Sequence, residues 1–183
     1  MLDRQLILTR LIEASPAKVW RCWTDPTLIA RWFGPEGYSC VTKEIDLTEG
    51  GQWRFDMTGP DGTVWPNRHR FTRHQPPSRI EFLMDGDSDG QPPMQVIVTL
   101  TPEGAGTRLT QVIIFPTVEA KLGALDFGAV KLGMQTHAKL ARLAEGDGFS
   151  ISDQDPRARS GGTADLTRAG CHHDGVENVE AAR

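Results

Sequence analysis

His69 is the side chain best suited to exchange a proton near neutral pH, and it stands in the run Trp65-Pro66-Asn67-Arg68-His69-Arg70-Phe71. If that run is a strand with alternating side chains, Trp65, Asn67, His69 and Phe71 share one face. Arg68 and Arg70 then point to solvent. Phe71 marks the first face as the apolar one, so Asn67 and His69 are expected to point inward as polar groups on an apolar wall. A bulge at Pro66 would reverse the assignment. No partner for His69 can be named, so a histidine satisfied by a neighbour in the core or at the rim competes with an acid–base role, and no catalytic residue is assigned.

Three other clusters have the right residue types for chemistry. Asp85-Gly86-Asp87-Ser88-Asp89-Gly90 matches the first half of a calcium loop. The twelfth position of such a loop needs a bidentate Glu, and here it is Val96 with strand-like flanks, so a solvated acidic hairpin loop is the better reading. Cys171-His172-His173-Asp174 holds good metal-ligand types in a segment without a packing pattern, and a preorganised site needs more. Cys22, beside Trp23, reads as a small buried hydrophobe rather than a nucleophile. No nucleophile elbow, phosphate-binding loop, zinc-protease helix or dinucleotide fingerprint is present. Neither a metal site nor a cofactor is expected.

The elements that must position these residues follow a simple order. Residues 2–13 alternate as a strand, with Leu6, Leu8 and Arg10 on one side and Ile7 and Ile12 nearer the other. Ser15-Pro16 and Asp25-Pro26 are helix starts, and two short helices follow with apolar stripes Val19/Trp20/Trp23 and Leu28/Ile29/Trp32. Trp20 is expected to be buried. Gly34-Pro35 stops the second helix. About six strands come next, with turns at Gly50-Gly51, Pro60-Asp61-Gly62, Pro76-Pro77 and Gly104-Ala105-Gly106 among them. Pro116-Thr117 opens one long helix to about Glu145, with Leu122, Leu125, Ala129, Leu132, Leu140 and Leu143 on its apolar face. Gly123, Gly128 and Gly133 weaken it and suggest close approach to something bulky. An α+β fold is therefore expected: a curved antiparallel sheet of about six or seven strands wrapped on the long helix.

Of the 183 residues, 38% are hydrophobic and 24% charged, a globular composition. No apolar run reaches membrane-span length, and the N-terminus lacks a signal-peptide layout. Three widely spaced cysteines, Cys22, Cys40 and Cys171, fit a reducing compartment, so the cytoplasm is the expected location. The net charge is −4, of which residues 147–183 carry −3. The preceding part has no basic footprint for phosphates, so nucleic acid is not an expected partner, nor is a membrane. Two domains of unequal character result: residues 1–146 as the folded unit, and residues 147–183 as a polar tail, rich in Gly, Ser, Asp and Arg and expected to be disordered. No internal repeat is found.

Several motifs agree with one family in order and spacing. Glu13-Ala14-Ser15-Pro16-Ala17-Lys18-Val19-Trp20, Trp23-Thr24-Asp25-Pro26 and Arg31-Trp32-Phe33-Gly34-Pro35 come first. Gly50-Gly51-Gln52-Trp53-Arg54-Phe55, Pro66-Asn67-Arg68, Pro76-Pro77-Ser78-Arg79-Ile80, Gly106-Thr107-Arg108-Leu109-Thr110 and Phe127-Gly128-Ala129-Val130 follow. Over roughly residues 3–145 the chain resembles the SRPBCC (START-like) superfamily, in the branch named for the activator of heat-shock protein ninety ATPase. The resemblance implies a helix-grip (START-like) fold with a cavity between sheet and long helix, and much less about activity, because the branch holds co-chaperones, cyclase-like proteins and members of unknown role. Relatives often carry an acid near the end of the fourth strand, where this chain has Arg73-His74-Gln75, so no role of that acid is carried over.

A small hydrophobic molecule is the expected partner. It would lie in an enclosed apolar pocket lined by Trp32, Trp53, Phe55, Met57, Trp65, Asn67, His69, Phe71, Phe82, Met84, Phe127 and Met134, with Gly128 and Gly133 leaving space on the helix side. Plain packing of the same aromatics as core is the competing reading. A cyclase- or hydrolase-like enzyme in the same cavity is an alternative. A stress-response co-chaperone domain is another, with a chaperone as its partner. A homodimer is compatible with all three.

Overall fold

The computed structural model describes residues 4–146. The tail from residue 147 and the Cys171-His172-His173-Asp174 cluster lie outside the described residues.

Eleven elements run in the order β1 (Gln5–Ile12), α1 (Pro16–Thr24), α2 (Ile29–Trp32), β2 (Ser39–Ile45), β3 (Gln52–Thr58), β4 (Val64–Gln75), β5 (Arg79–Asp85), β6 (Met94–Glu103), β7 (Gly106–Ile114), α3 (Val118–Asp126) and α4 (Ala129–Glu145). The strands form one antiparallel sheet, β1-β7-β6-β5-β4-β3-β2. It is a curved, unclosed sheet with β1 and β2 at its edges, and α1 and α2 bridge those edges in the chain. This is the helix-grip arrangement.

Local chemistry sets the helix boundaries. Ser15 caps α1 by accepting a hydrogen bond from the Lys18 N–H, and Pro16 follows at the first helical position. Thr117 caps α3 by accepting from the Ala120 N–H at 3.1 Å. The single long helix expected from Thr117 to Glu145 is instead two helices. Gly128 adopts φ +96°, a left-handed conformation that ends α3 and then leads into α4. The break turns Phe127 outward, where it is 64% exposed, and leaves Leu122 on the expected apolar stripe exposed as well.

The core lies between the inner sheet face and α1, α2 and α4. Leu6, Leu8 and Ile12 of β1 all face it, so Ile12 belongs with Leu6 rather than with Ile7, which is on the solvent side. Trp23 and Trp32 are fully buried, with ring centroids 4.7 Å apart. Trp20, expected to be buried, is only half-buried. The core-facing stripe of α1 is Val19, Cys22 and Trp23, and Trp20 lies beside it with its ring edge-on to His74 at 5.7 Å. Gly133 does not face open space. A Cβ there would stand 2.4 Å from Leu8 Cδ1, so this glycine lets α4 lie directly on β1.

The outer face of the sheet carries the charges. Arg68 and Asp85 are opposite each other in the β4–β5 register. Asp85 accepts from Arg68 Nε and Nη2 at 3.0 Å and from Arg70 Nη2 at 2.9 Å. Asp87 accepts from Arg54 Nε at 2.8 Å, and Asp89 accepts from Arg68 Nη2 at 2.7 Å. The acidic loop expected to be solvated is therefore tied to Arg54, Arg68 and Arg70, and Asp85 is set beside Arg68 by the strand register. Asp85 is buried, and the two guanidiniums beside it hold its carboxyl below the usual carboxylate range despite its desolvation.

Candidate functional site

Inward alternation on β4 runs unbroken through Pro66, which sits opposite Asp56 in the β3–β4 register. The pairing of β5 with β4 begins only at Arg68, so nothing on that side asks Pro66 for an N–H. The irregularity in β4 comes later, between Phe71 and Arg73. Trp65, Asn67, His69 and Phe71 thus share the inner face, with exposure falling from Trp65 at 45% to His69 at 0%. Cross-strand neighbours continue that face: Met57 opposite Trp65, Phe55 opposite Asn67, Trp53 opposite His69.

At the exposed end of this face lies an apolar groove of about 220 Å³, lined by Pro35, Tyr38, Met57, Trp65, Asn67, Phe127 and Leu132. One wall is the β3–β4 hairpin, and the other is the break between α3 and α4. Trp65 and Phe127 meet edge to face across it, with centroids 6.0 Å apart. Gly34 packs closely on Met57. Its φ is +95°, and a Cβ there would meet Met57 Sδ at 3.0 Å. That close turn carries Pro35 and Tyr38 from the end of α2 to the groove. The Asn67 amide donates to the Trp65 carbonyl at 2.8 Å and is oriented by its own strand.

Deeper along the face, Trp53, Phe55, Phe82 and His69 pack against one another and against Phe33. Trp53 and Phe55 stack at 3.8 Å, and Phe82 stacks on the His69 imidazole at 4.6 Å. Phe33, Phe55 and Trp53 stand edge-on to the imidazole at 4.9, 5.2 and 5.5 Å. The two ring nitrogens of His69 are buried and make no hydrogen bond to the protein. Burial drives the His69 pKa down to about 3, against a weak opposing pull from Asp85, so the ring is neutral.

The structure divides the twelve residues expected to form one pocket. Met57, Trp65, Asn67 and Phe127 line the groove. Trp53, Phe55, His69 and Phe82 form the aromatic layer behind it. Phe71 lies beside Phe82, at 5.7 Å. Trp32 is deeper, tied by its indole N–H to the Cys22 carbonyl at 2.8 Å. Met84 lines a different cleft with Met94, Phe115 and Ala124, and Met134 packs with Leu6, Leu8 and Phe115. Gly128 makes the α3–α4 break but, like Gly133, does not itself line the groove.

Four participants were not anticipated from the sequence. Pro35, Tyr38 and Leu132 line the groove, and Phe33 is the ring at the centre of the aromatic layer. Arg31-Trp32-Phe33-Gly34-Pro35 reads in the sequence as a helix end and a family motif, and neither places Phe33 or Pro35 at the site. A second cleft, of about 430 Å³, lies between the end of α1 and the β2–β3 turn and is lined by Trp20, His74, Asp46 and Glu49 among others. Among the described residues no three His, Cys, Asp or Glu side chains are grouped as metal ligands, and no helix is long and apolar enough to cross a membrane.

A seven-stranded sheet gripping a C-terminal helix, with two short helices after the first strand and an apolar groove at one end, defines a helix-grip protein. Residues 13–145 match the model of the family described as Activator of Hsp90 ATPase homolog 1-like protein, and the chain belongs to that family. A crystal structure of a protein from Nitrosomonas europaea superposes with a TM-score of 0.69 at 25% identity, covering 79% of this chain and 96% of that one. A protein from Chromobacterium violaceum gives 0.65 at 28% identity, covering 79% and 99%. An Arthrobacter aurescens protein gives 0.72 at 24% identity, covering 79% and 87%, a likeness of fold. No curated protein sequence matches this chain.

Proposed function

We propose that this protein binds a small hydrophobic molecule in the groove between the β3–β4 hairpin and the α3–α4 break. The carrying observation is the pair Trp65 and Phe127, 45% and 64% exposed, facing each other across a concave, uncharged surface. Large aromatics left in water at the mouth of a groove are what an apolar ligand covers, and the lining has the usual make-up of such a site. The aromatic layer of Trp53, Phe55, Phe82 and His69 lies behind the groove on the same face of the sheet. The free thiols of Cys22 and Cys40 fit a reducing, cytoplasmic setting.

Titration with an apolar fluorescent probe tests this reading. Trp65→Ala and Phe127→Ala remove exposed side chains, so both variants keep their melting temperature and lose probe binding at least tenfold. Probe binding unchanged in the double variant places the ligand elsewhere and overturns the proposal.

A partner-binding role draws on the same exposed pair, together with the exposed Leu122 and Val130 on the neighbouring helices. The concavity of the groove favours the small molecule. An acid–base enzyme needs a second ionisable group within reach of His69, and the neighbours of that ring are aromatic.

A further inference from the structure

The fully buried imidazole of His69 carries the groove reading further, to the chemistry of the ligand. We propose that the hydrophobic molecule bears a neutral hydroxyl, which reaches past the groove lining into the aromatic layer and hydrogen-bonds to His69. This inference rests on binding in the groove described above.

Three observations lead to it. First, His69 lies two residues beyond Asn67 on the same face of β4, about 7 Å along the strand from the groove lining. It is the next polar side chain that a molecule entering past Trp65 and Asn67 meets. Phe55 pairs with Asn67 and stands 5.2 Å from the imidazole, so it is the ring that tilts to admit the head group.

Second, both imidazole nitrogens are without a protein partner at 0% exposure. Buried polar groups are almost always hydrogen-bonded, and leaving them unpaired is costly. A neutral imidazole offers one N–H donor and one bare acceptor. A hydroxyl donates and accepts, so it satisfies either nitrogen whichever tautomer is present. Third, the charges are on the wrong side of the sheet for an anionic head. Arg68 and Arg70 face outward and are held by Asp85, and no groove residue is ionisable apart from the Tyr38 phenol. A carboxylate or phosphate drawn to His69 would be desolvated without a counter-charge.

Binding of three naphthalene probes to the full chain at pH 7 tests the head group, with affinities from calorimetry and ¹⁵N shifts of the His69 ring from NMR. 2-Naphthol is expected to bind about five- to tenfold tighter than naphthalene, the worth of one hydrogen bond. 2-Naphthoate should be the weakest, and only 2-naphthol should move the His69 nitrogen shifts. In His69→Phe the affinity ratio of naphthol to naphthalene falls to about one. The wild-type probe series and the ring shifts need no variant, so they stand even if His69→Phe folds poorly. Equal affinities for naphthol and naphthalene with silent His69 shifts overturn the head-group assignment and leave the groove reading intact. An advantage that persists in His69→Phe, or tightest binding of 2-naphthoate, also overturns it. If neither naphthol nor naphthalene binds, the groove reading fails and this one with it.

Discussion

Replacing His69 with phenylalanine should change how stability depends on pH, by an amount the buried site fixes. Burial lowers the His69 pKa from 6.5 to about 3 in the folded protein. The unfolded chain therefore binds a proton below pH 6.5 that the folded protein refuses until about pH 3. The unfolded state holds more protons across that window, so stability is full above pH 6.5 and falls as pH drops through it. One proton corresponds to a slope of about 1.4 kcal/mol per pH unit, so the loss from this residue between pH 7.5 and pH 5.0 is about 2 kcal/mol. His137, whose Nε2 lies 2.7 Å from Gln111 Oε1, is lowered to about 4 for the same reason, and His74 is lowered as well. Both contribute equally to wild type and variant and cancel. Asp85 and Asp87 are held low by their arginines and remain ionised throughout. Urea unfolding of both proteins at pH 7.5 and pH 5.0 measures the difference directly, and any packing change from the larger ring cancels between the two pH values. His69→Phe should lose about 2 kcal/mol less than wild type. Equal losses would mean that His69 titrates normally, and so is wet or hydrogen-bonded in solution, which refutes the neutral, unpaired imidazole.

Trp23→Ala should cost about 3–5 kcal/mol in urea unfolding and Trp20→Ala at most half of that, because only Trp23 is fully buried; equal costs would undo the assignment of the α1 face. Gly133→Ala sets a helix-propensity gain of about 1 kcal/mol against a collision with Leu8, and the collision should win by about 1 kcal/mol. In a Leu8→Ala background the same substitution should become stabilising, a sign reversal that a double-mutant cycle reads and that a cavity beside Gly133 would not produce. A chain ending at residue 147 should melt within about 2 °C of the full chain, and a drop of several degrees in calorimetry would show that residues 148–183 contribute to the folded unit.

Much of this protein was readable before any coordinate. Ser15-Pro16 and Pro116-Thr117 announced helices because capping is a local matter between a side chain and the next few N–H groups. Period-2 runs such as Trp53/Phe55/Met57 announced strands and their inner faces, because side-chain alternation follows from backbone geometry alone. The inward direction of Asn67 and His69 was legible for the same reason. Other features depend on what lies opposite in space. Gly128 could have sat inside a helix, and only its left-handed φ breaks the segment and presents Phe127 to Trp65. Arg68 reads as solvated until the β4–β5 register places Asp85 beside it. Whether Trp53, Phe55 and Phe82 enclose a space or fill it with their own rings is a question of ring positions across three strands and the α2–β2 turn. Phe33, at the end of α2, stands against Trp53, Phe55 and His69. Sequence patterns encode which way a side chain faces; only the tertiary structure decides what it meets there, because contacts between residues distant in the chain leave no local periodicity.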